Sequence, residues 1–157
     1  MIVEKALAEM QSKLTPDLRA SYARQGLSVF QALTLASIIE REVSAPVDRA
    51  QAAQVFLKRL KNDIRLESDV TALYGAVLDG QTPSVTYESA YNTYTHKGLP
   101  PGPISTVSES SLKAVAHPAN TDWQYFVAGD NGNTYFSKTL DEHNALTKQY
   151  CQKLCNL

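Results

Sequence analysis

Apolar residues recur at Ile2, Ala6, Met10 and Leu14, the spacing of one helical face, and Pro16 ends that run. Pro16 to Arg24 reads as a second short helix, stopped by Gly26. Ser28 and Gln31 then have the form of a capping box, in which each side chain satisfies the other residue's backbone N–H. The helix it opens, about Val29 to Val43, is apolar on nearly every side and so belongs in the core. Pro46 and Asp48 begin a further helix to about Lys61, with a predicted inner stripe of Ala50, Ala53, Leu57 and Leu60. Asn62-Asp63 turns the chain, and Asp69 is placed to cap a short helix through Leu78.

From Asp79 to Ser105 the texture changes to glycine, proline, threonine and tyrosine, and Leu99-Pro100-Pro101-Gly102-Pro103 excludes both a regular helix and a central strand. A loop of that length in a compact domain is functional or disordered, and Tyr87, Tyr91 and Tyr94 argue against disorder. Ser108 opens a helix to about Ala116, ended before Pro118. Trp123 to Val127 and Thr134 to Ser137 flank Asp130-Asn131-Gly132-Asn133, a hairpin by its turn chemistry. Thr139 and Glu142 form a second capping box and begin the final helix. The expected class is α+β: a mostly helical domain with a small antiparallel hairpin and a long Pro/Tyr-rich loop.

The length, 157 residues, suits a single domain over 1–157. A formal net charge of −1 removes the electrostatic case for nucleic acid. The longest apolar stretch, around Leu35 to Ile39, is far short of the ~20 residues of a membrane span, and no basic-then-apolar signal opens the chain. Two cysteines, Cys151 and Cys155, make neither a disulfide framework nor a zinc site. A strained bridge and free thiols are both open for them, and free thiols are favoured. No Gly-rich phosphate loop or nucleophile elbow occurs, and no metal or organic cofactor is implied. His96, His117 and His143 are scattered and read as structural.

One helix carries the candidate chemistry. It ends in Ile38-Ile39-Glu40-Arg41-Glu42, and at 100° per residue Glu40 falls beside Leu33 and Val29, with Ala36 one turn earlier. A carboxyl in that apolar setting has a raised pKa and can donate a proton near neutral pH. The alternative is that Glu40 ion-pairs with Arg41, Arg49 or Arg59. Glu42 faces a different side, near Ile38 and Leu35, and periodicity does not exclude it as the acid. The tyrosine loop offers amides, hydroxyls and flat faces suited to a sugar, or simply covers the core.

Taken together, these stretches resemble the MltG/YceG-like family of endolytic murein transglycosylases. The matching blocks are Leu35 to Glu42, Val55 to Leu60, Arg65 to Asp69, Leu73-Tyr74-Gly75, Tyr91 to Tyr94, Gly98 to Ile104 and Ser111 to Ala114. His117 to Asp122, Tyr125 to Ala128, Phe136-Ser137 and Glu142-His143-Asn144 follow in the family's order. They imply a catalytic core over 28–150, with 1–27 as a helical lead-in.

The resemblance implies a lyase that cuts the MurNAc–GlcNAc β-1,4 bond inside peptidoglycan strands and leaves 1,6-anhydroMurNAc ends. It assigns catalysis to Glu40, the first Glu of the motif, and sugar contacts to Asn92 and Tyr94. Tyr91, Ser37, Asp69 and Glu67 are further candidates for holding substrate or acid, and the roles of His143 and Asn144 stay open. One carboxylate suffices, because the attacking C6 hydroxyl belongs to the substrate; a hydrolase would want a second carboxylate roughly 5 to 10 Å away.

Family members carry an N-terminal membrane helix and a LysM-like domain, so the resemblance implies work at the extracytoplasmic face of the cell membrane, on glycan strands and beside cell-wall synthases. Two departures stand out: Asp79-Gly80-Gln81-Thr82-Pro83 is short where the family has a longer insert, and Val70 replaces a proline after Asp69. Competing readings are a non-catalytic peptidoglycan- or partner-binding module and a glycan hydrolase using Glu40. An older lyase label for the family, involving pyridoxal phosphate, finds no phosphate-cradling loop here.

Overall fold

A computed structural model describes residues 2–153 and 155. The extremities of the expected 1–157 domain, at 1, 154, 156 and 157, lie outside the described residues. Seven α-helices, a 3-10 turn at Pro46–Asp48 and a two-stranded sheet appear among them: α1 (Ile2–Lys13), α2 (Pro16–Arg24), α3 (Val29–Glu42), α4 (Arg49–Lys61), α5 (Asp69–Leu78), α6 (Glu109–Ala116), β1 (Tyr125–Ala128), β2 (Thr134–Ser137) and α7 (Leu140–Tyr150). The α+β class expected from the pattern is what forms.

Local chemistry sets most of the boundaries. Thr15 caps α2 ahead of Pro16, and Gly26 leaves it at φ +77°, where a β-carbon would be strained. Both capping boxes are made, Ser28 with Gln31 at α3 and Thr139 with Glu142 at α7. Ser108 caps α6 by accepting from the Ser111 N–H. The N-cap position of α5 is held by Ser68, which makes no side-chain capping bond, and Asp69, the expected cap, is the first residue inside the helix. The hairpin pairs Tyr125 with Ser137 and Ala128 with Thr134, and Gly129 N–H to Asn133 O (2.8 Å) closes its turn.

Helix α3 runs through the core. Leu35, Ile38 and Ile39 are fully buried, each contributing about 2 kcal/mol of apolar burial, and α2, α4, α5 and α6 pack around them. On α4 the expected stripe is rotated. Its buried residues are Arg49, Ala52, Ala53, Val55 and Phe56, while Ala50, Leu57 and Leu60 are only partly covered. The reason is Arg49: a pattern reader turns an arginine outward, but this one faces inward onto a partner on α3.

The hairpin docks through Phe126, which meets Phe56 edge-on at 5.3 Å. The segment from Asp79 to Ser105 carries no regular secondary structure, as its prolines require. It is tied down where Tyr91 packs on Tyr74 (4.9 Å between rings), close beside Gly75, whose missing side chain makes room for Ser89 and Tyr91. At the C-terminal end the preference for free thiols is overturned. Helix α7 stops at Tyr150, and Cys151 turns back to form a disulfide with Cys155. Spacing alone left the bridge and the free thiols both open.

Candidate active site

The two acids at the end of α3 meet opposite environments. Glu40 turns toward the N-terminus of α6, where it accepts from the Ser108 N–H (2.9 Å), the Ser108 hydroxyl (2.6 Å) and the Ser111 hydroxyl (2.8 Å). Arg49, 6% exposed, closes a two-point pair with it at 3.1 and 3.0 Å. The same guanidinium donates to Val43 O (3.1 Å), Ser108 Oγ (2.6 Å) and Ser110 Oγ (2.6 Å). Burial pushes the Glu40 carboxyl up, but the Ser108 and Ser111 donors and Arg49 outweigh it, and the pKa lies below its ordinary value. The expected raised pKa at Glu40 is therefore corrected. Helical phase sees only α3's own side chains, and these donors arrive from α4 and α6.

Glu42 lies two residues on, about 200° around the helix. Its carboxylate meets the start of α5, where Ser68 Oγ donates to it at 2.5 Å. Burial dominates here, with the Asp69 charge adding to it. The Ser68 hydroxyl and the Val70 N–H oppose them, and the net effect pushes the carboxyl up to about 7. Asp69 in turn accepts from the Tyr94 hydroxyl, which stands at the surface. Burial first, then Asp69, Glu42 and Glu67, raise the Tyr94 pKa, so this phenol is a proton-bearing donor. Glu42, Ser68, Asp69 and Tyr94 thus form one constellation, with a protonatable acid at one end and an exposed phenol at the other.

Thr93 staples the two loops that supply this constellation. Its hydroxyl accepts from the Ser68 N–H (3.0 Å) and meets Thr71 Oγ1 (2.8 Å), while its carbonyl accepts from the Glu67 N–H (3.2 Å). Glu67 has φ +54°, unusual for a residue with a β-carbon, and pairs with Arg59 at 2.9 Å.

Two of the residues expected to hold substrate are buried and bonded within the chain. Asn92 is fully buried; its amide donates to Val85 O (3.0 Å) and Tyr87 O (2.7 Å), and its oxygen accepts from the Tyr94 N–H (2.9 Å). It shapes the loop that presents Tyr94 and has no group left for a ligand. Ser37 is likewise buried, donating to Thr34 O (2.7 Å) and accepting from the Ile104 N–H (2.9 Å). Tyr91 is half-buried against Tyr74, and Glu67 and Asp69 border the constellation. Asn92→Ala is accordingly expected to lower stability by about 2 kcal/mol, because it strands two carbonyls and an N–H. A urea midpoint shift of that size would check it, and an unchanged midpoint would return Asn92 to the ligand contacts.

A family model described as YceG-like matches residues 1–149. The chain belongs to the YceG-like family. Among relatives, the endolytic murein transglycosylase of Bacillus subtilis (strain 168) is 38% identical over 151 residues, covering 93% of this chain and 41% of the relative. An endolytic murein transglycosylase of Streptococcus pneumoniae serotype 2 is 29% identical over 164 residues, covering 99% of this chain and 30% of the relative. The chain therefore spans well under half the length of these curated relatives. A crystal structure of a YceG-like protein from Listeria monocytogenes matches with a TM-score of 0.76 at 42% identity, over 90% of this chain and 46% of that one.

Within this YceG-like domain no helix among the described residues is long and apolar enough to cross a membrane. No cluster of three or more His, Cys, Asp or Glu among them is arranged to hold a metal ion. An open concavity of about 370 Å³, lined by Phe30, Thr34, Leu60 and Leu99, follows the N-terminal half of α3 and not the Glu42 end. Of the three arginines the sequence offered as partners for Glu40, Arg49 is the one that pairs with it; sequence reasoning missed Ser68, Thr93, Ser108 and Ser111 as partners. Ser68, Thr93 and Ser111 had a signal, since they sit inside the Arg65 to Asp69, Tyr91 to Tyr94 and Ser111 to Ala114 blocks; Ser108 is legible as a partner only once the helices are packed.

Proposed function

We propose that this domain carries out endolytic lytic transglycosylation of peptidoglycan, with Glu42 as its acid and base. The observation that supports this assignment is the mostly buried Glu42 carboxyl, pushed up to about 7 beside Asp69 and the exposed Tyr94. The names of the relatives, endolytic murein transglycosylases, support the choice of substrate and bond.

A carboxyl half protonated near neutral pH can donate to the oxygen that links MurNAc to GlcNAc, and its conjugate base can then take a proton. In the proposed reaction Glu42 protonates that bridging oxygen as the C1–O bond breaks. The carboxylate then removes the proton of the MurNAc C6 hydroxyl as that oxygen bonds to C1. Atoms balance without water, and no cofactor is called for. Tyr94, its single proton held by Asp69, accepts from a sugar hydroxyl at the mouth. Glu40 contributes structure, through Arg49 and α6. The substrate strand places the reaction at the outer face of the cell membrane, where peptidoglycan is built.

One observation favours a second reading. The Asp69 charge faces Glu42, so a hydrolase with Asp69 as the second carboxylate is chemically admissible. Mass analysis of products from purified glycan strands separates the two. The proposal expects anhydro ends; products heavier by one water would replace it with the hydrolase, and intact strands with a binding module.

A further inference from the structure

Arg59 lies in one of the family-like blocks, yet its side chain bonds neither Glu42 nor Tyr94. Its side chain is 13% exposed, and all its contacts run to a single short segment and to the wall behind it. Arg59 Nη1 donates to Arg65 O (3.1 Å), Leu66 O (3.2 Å) and Glu67 Oε2 (2.9 Å). Behind it, the guanidinium lies over the Tyr125 ring at 5.5 Å and reaches Gln124 O at 3.5 Å. Tyr125 is also stacked against His143, with ring centroids 5.3 Å apart and planes 25° apart.

The segment so held is the one that delivers Ser68 to Glu42. Glu67, with its left-handed backbone, is the residue immediately before Ser68, and such a conformation persists only where surrounding contacts over-determine it. Thr93 holds Glu67 and Ser68, and Arg59 holds residues 65 to 67. If Glu67 relaxes to an ordinary φ, Ser68 Oγ leaves the Glu42 carboxylate.

We infer that Arg59, backed by Tyr125 and His143, is a positioning residue that holds the 65–67 segment so that Ser68 meets Glu42. The inference rests on the reading of Glu42 as the acid for its importance to turnover, but not for its geometry. A planar fork is needed: one nitrogen spans two carbonyls and a carboxylate while the flat cation covers a ring, and lysine cannot do both. His143, whose role the sequence left open, belongs to this brace.

The test is the Glu42 titration midpoint, followed by carboxyl-carbon NMR in the wild type, Arg59→Lys, Arg59→Ala and Ser68→Ala, with thermal unfolding of each. Asp69 and Tyr94 also face Glu42 and are unchanged in every variant. Ser68→Ala sets the full upward shift from losing that donor, roughly half a unit or more. The expected result is that Arg59→Lys, which keeps the charge, raises the midpoint by at least half of that shift, and that turnover falls while KM barely moves. A wild-type midpoint in Arg59→Lys overturns the inference, and a shift in Arg59→Ala alone reduces Arg59 to a distant charge. Activity surviving in Glu42→Gln would remove the acid assignment and leave the titration result standing.

Discussion

Glu42→Gln is expected to lower turnover of glycan strands by at least about 100-fold, the contribution of a positioned general acid, while making the domain more stable at alkaline pH. The two effects share one cause. A carboxyl raised from 4.5 to about 7 favours the folded state only while it is protonated. That contribution is fully present below the unfolded value and is lost as pH rises through the folded one, reaching about 3 kcal/mol at pH 8. Glutamine has no charge to bury and can still accept from Ser68. The variant should therefore match the wild type in urea at pH 4 and outlast it at pH 8. A variant no more stable at pH 8 than the wild type would mean that Glu42 is not a desolvated acid. A variant that turns over normally would remove it from the chemistry.

Glu40→Gln should do the reverse. Arg49 is buried, and removing the charge it faces leaves a guanidinium with incomplete compensation, at a cost of about 3 kcal/mol. For a domain of this size that is a fall in Tm of roughly 6 to 12 °C. The sign with pH follows from the depressed Glu40 value: its stabilising contribution is present above the unfolded carboxyl pKa and fades as pH falls through the folded one. The Tm difference between Glu40→Gln and wild type should thus be largest near neutrality and shrink in acid. Below the variant's Tm, its turnover should stay within an order of magnitude of normal. Loss of turnover with Tm unchanged would restore Glu40 as the acid.

What could be read from the chain was what neighbours in sequence determine. Ser28 and Gln31, Thr139 and Glu142, and the Asn131-Gly132 turn each act over four residues or fewer, and each forms as its chemistry requires. The choice between Glu40 and Glu42 was not of that kind. Ser108 is 68 residues from Glu40 and Ser68 is 26 from Glu42, so the groups that hold one acid ionised and the other protonatable reach α3 only through packing. Helical phase identified Glu40 as the acid with apolar neighbours on its own helix, and that was true. It could not register that α6 presents its N-terminus there. Asn92 is ambiguous in the sequence for a related reason: an amide in a polar, aromatic loop suits a sugar and suits a loop's own backbone equally well, and its burial appears only in the fold.

The bridge between Cys151 and Cys155 has a consequence of its own. Closing it removes two hydrogens and needs an oxidant, and in mesophilic cells such bonds persist outside the reducing cytosol. The turn after α7 thus keeps a record of the compartment in which the chain matured. Protein recovered from an oxidising space should resist alkylation at both positions, whereas protein made in a reducing one should take up reagent at each.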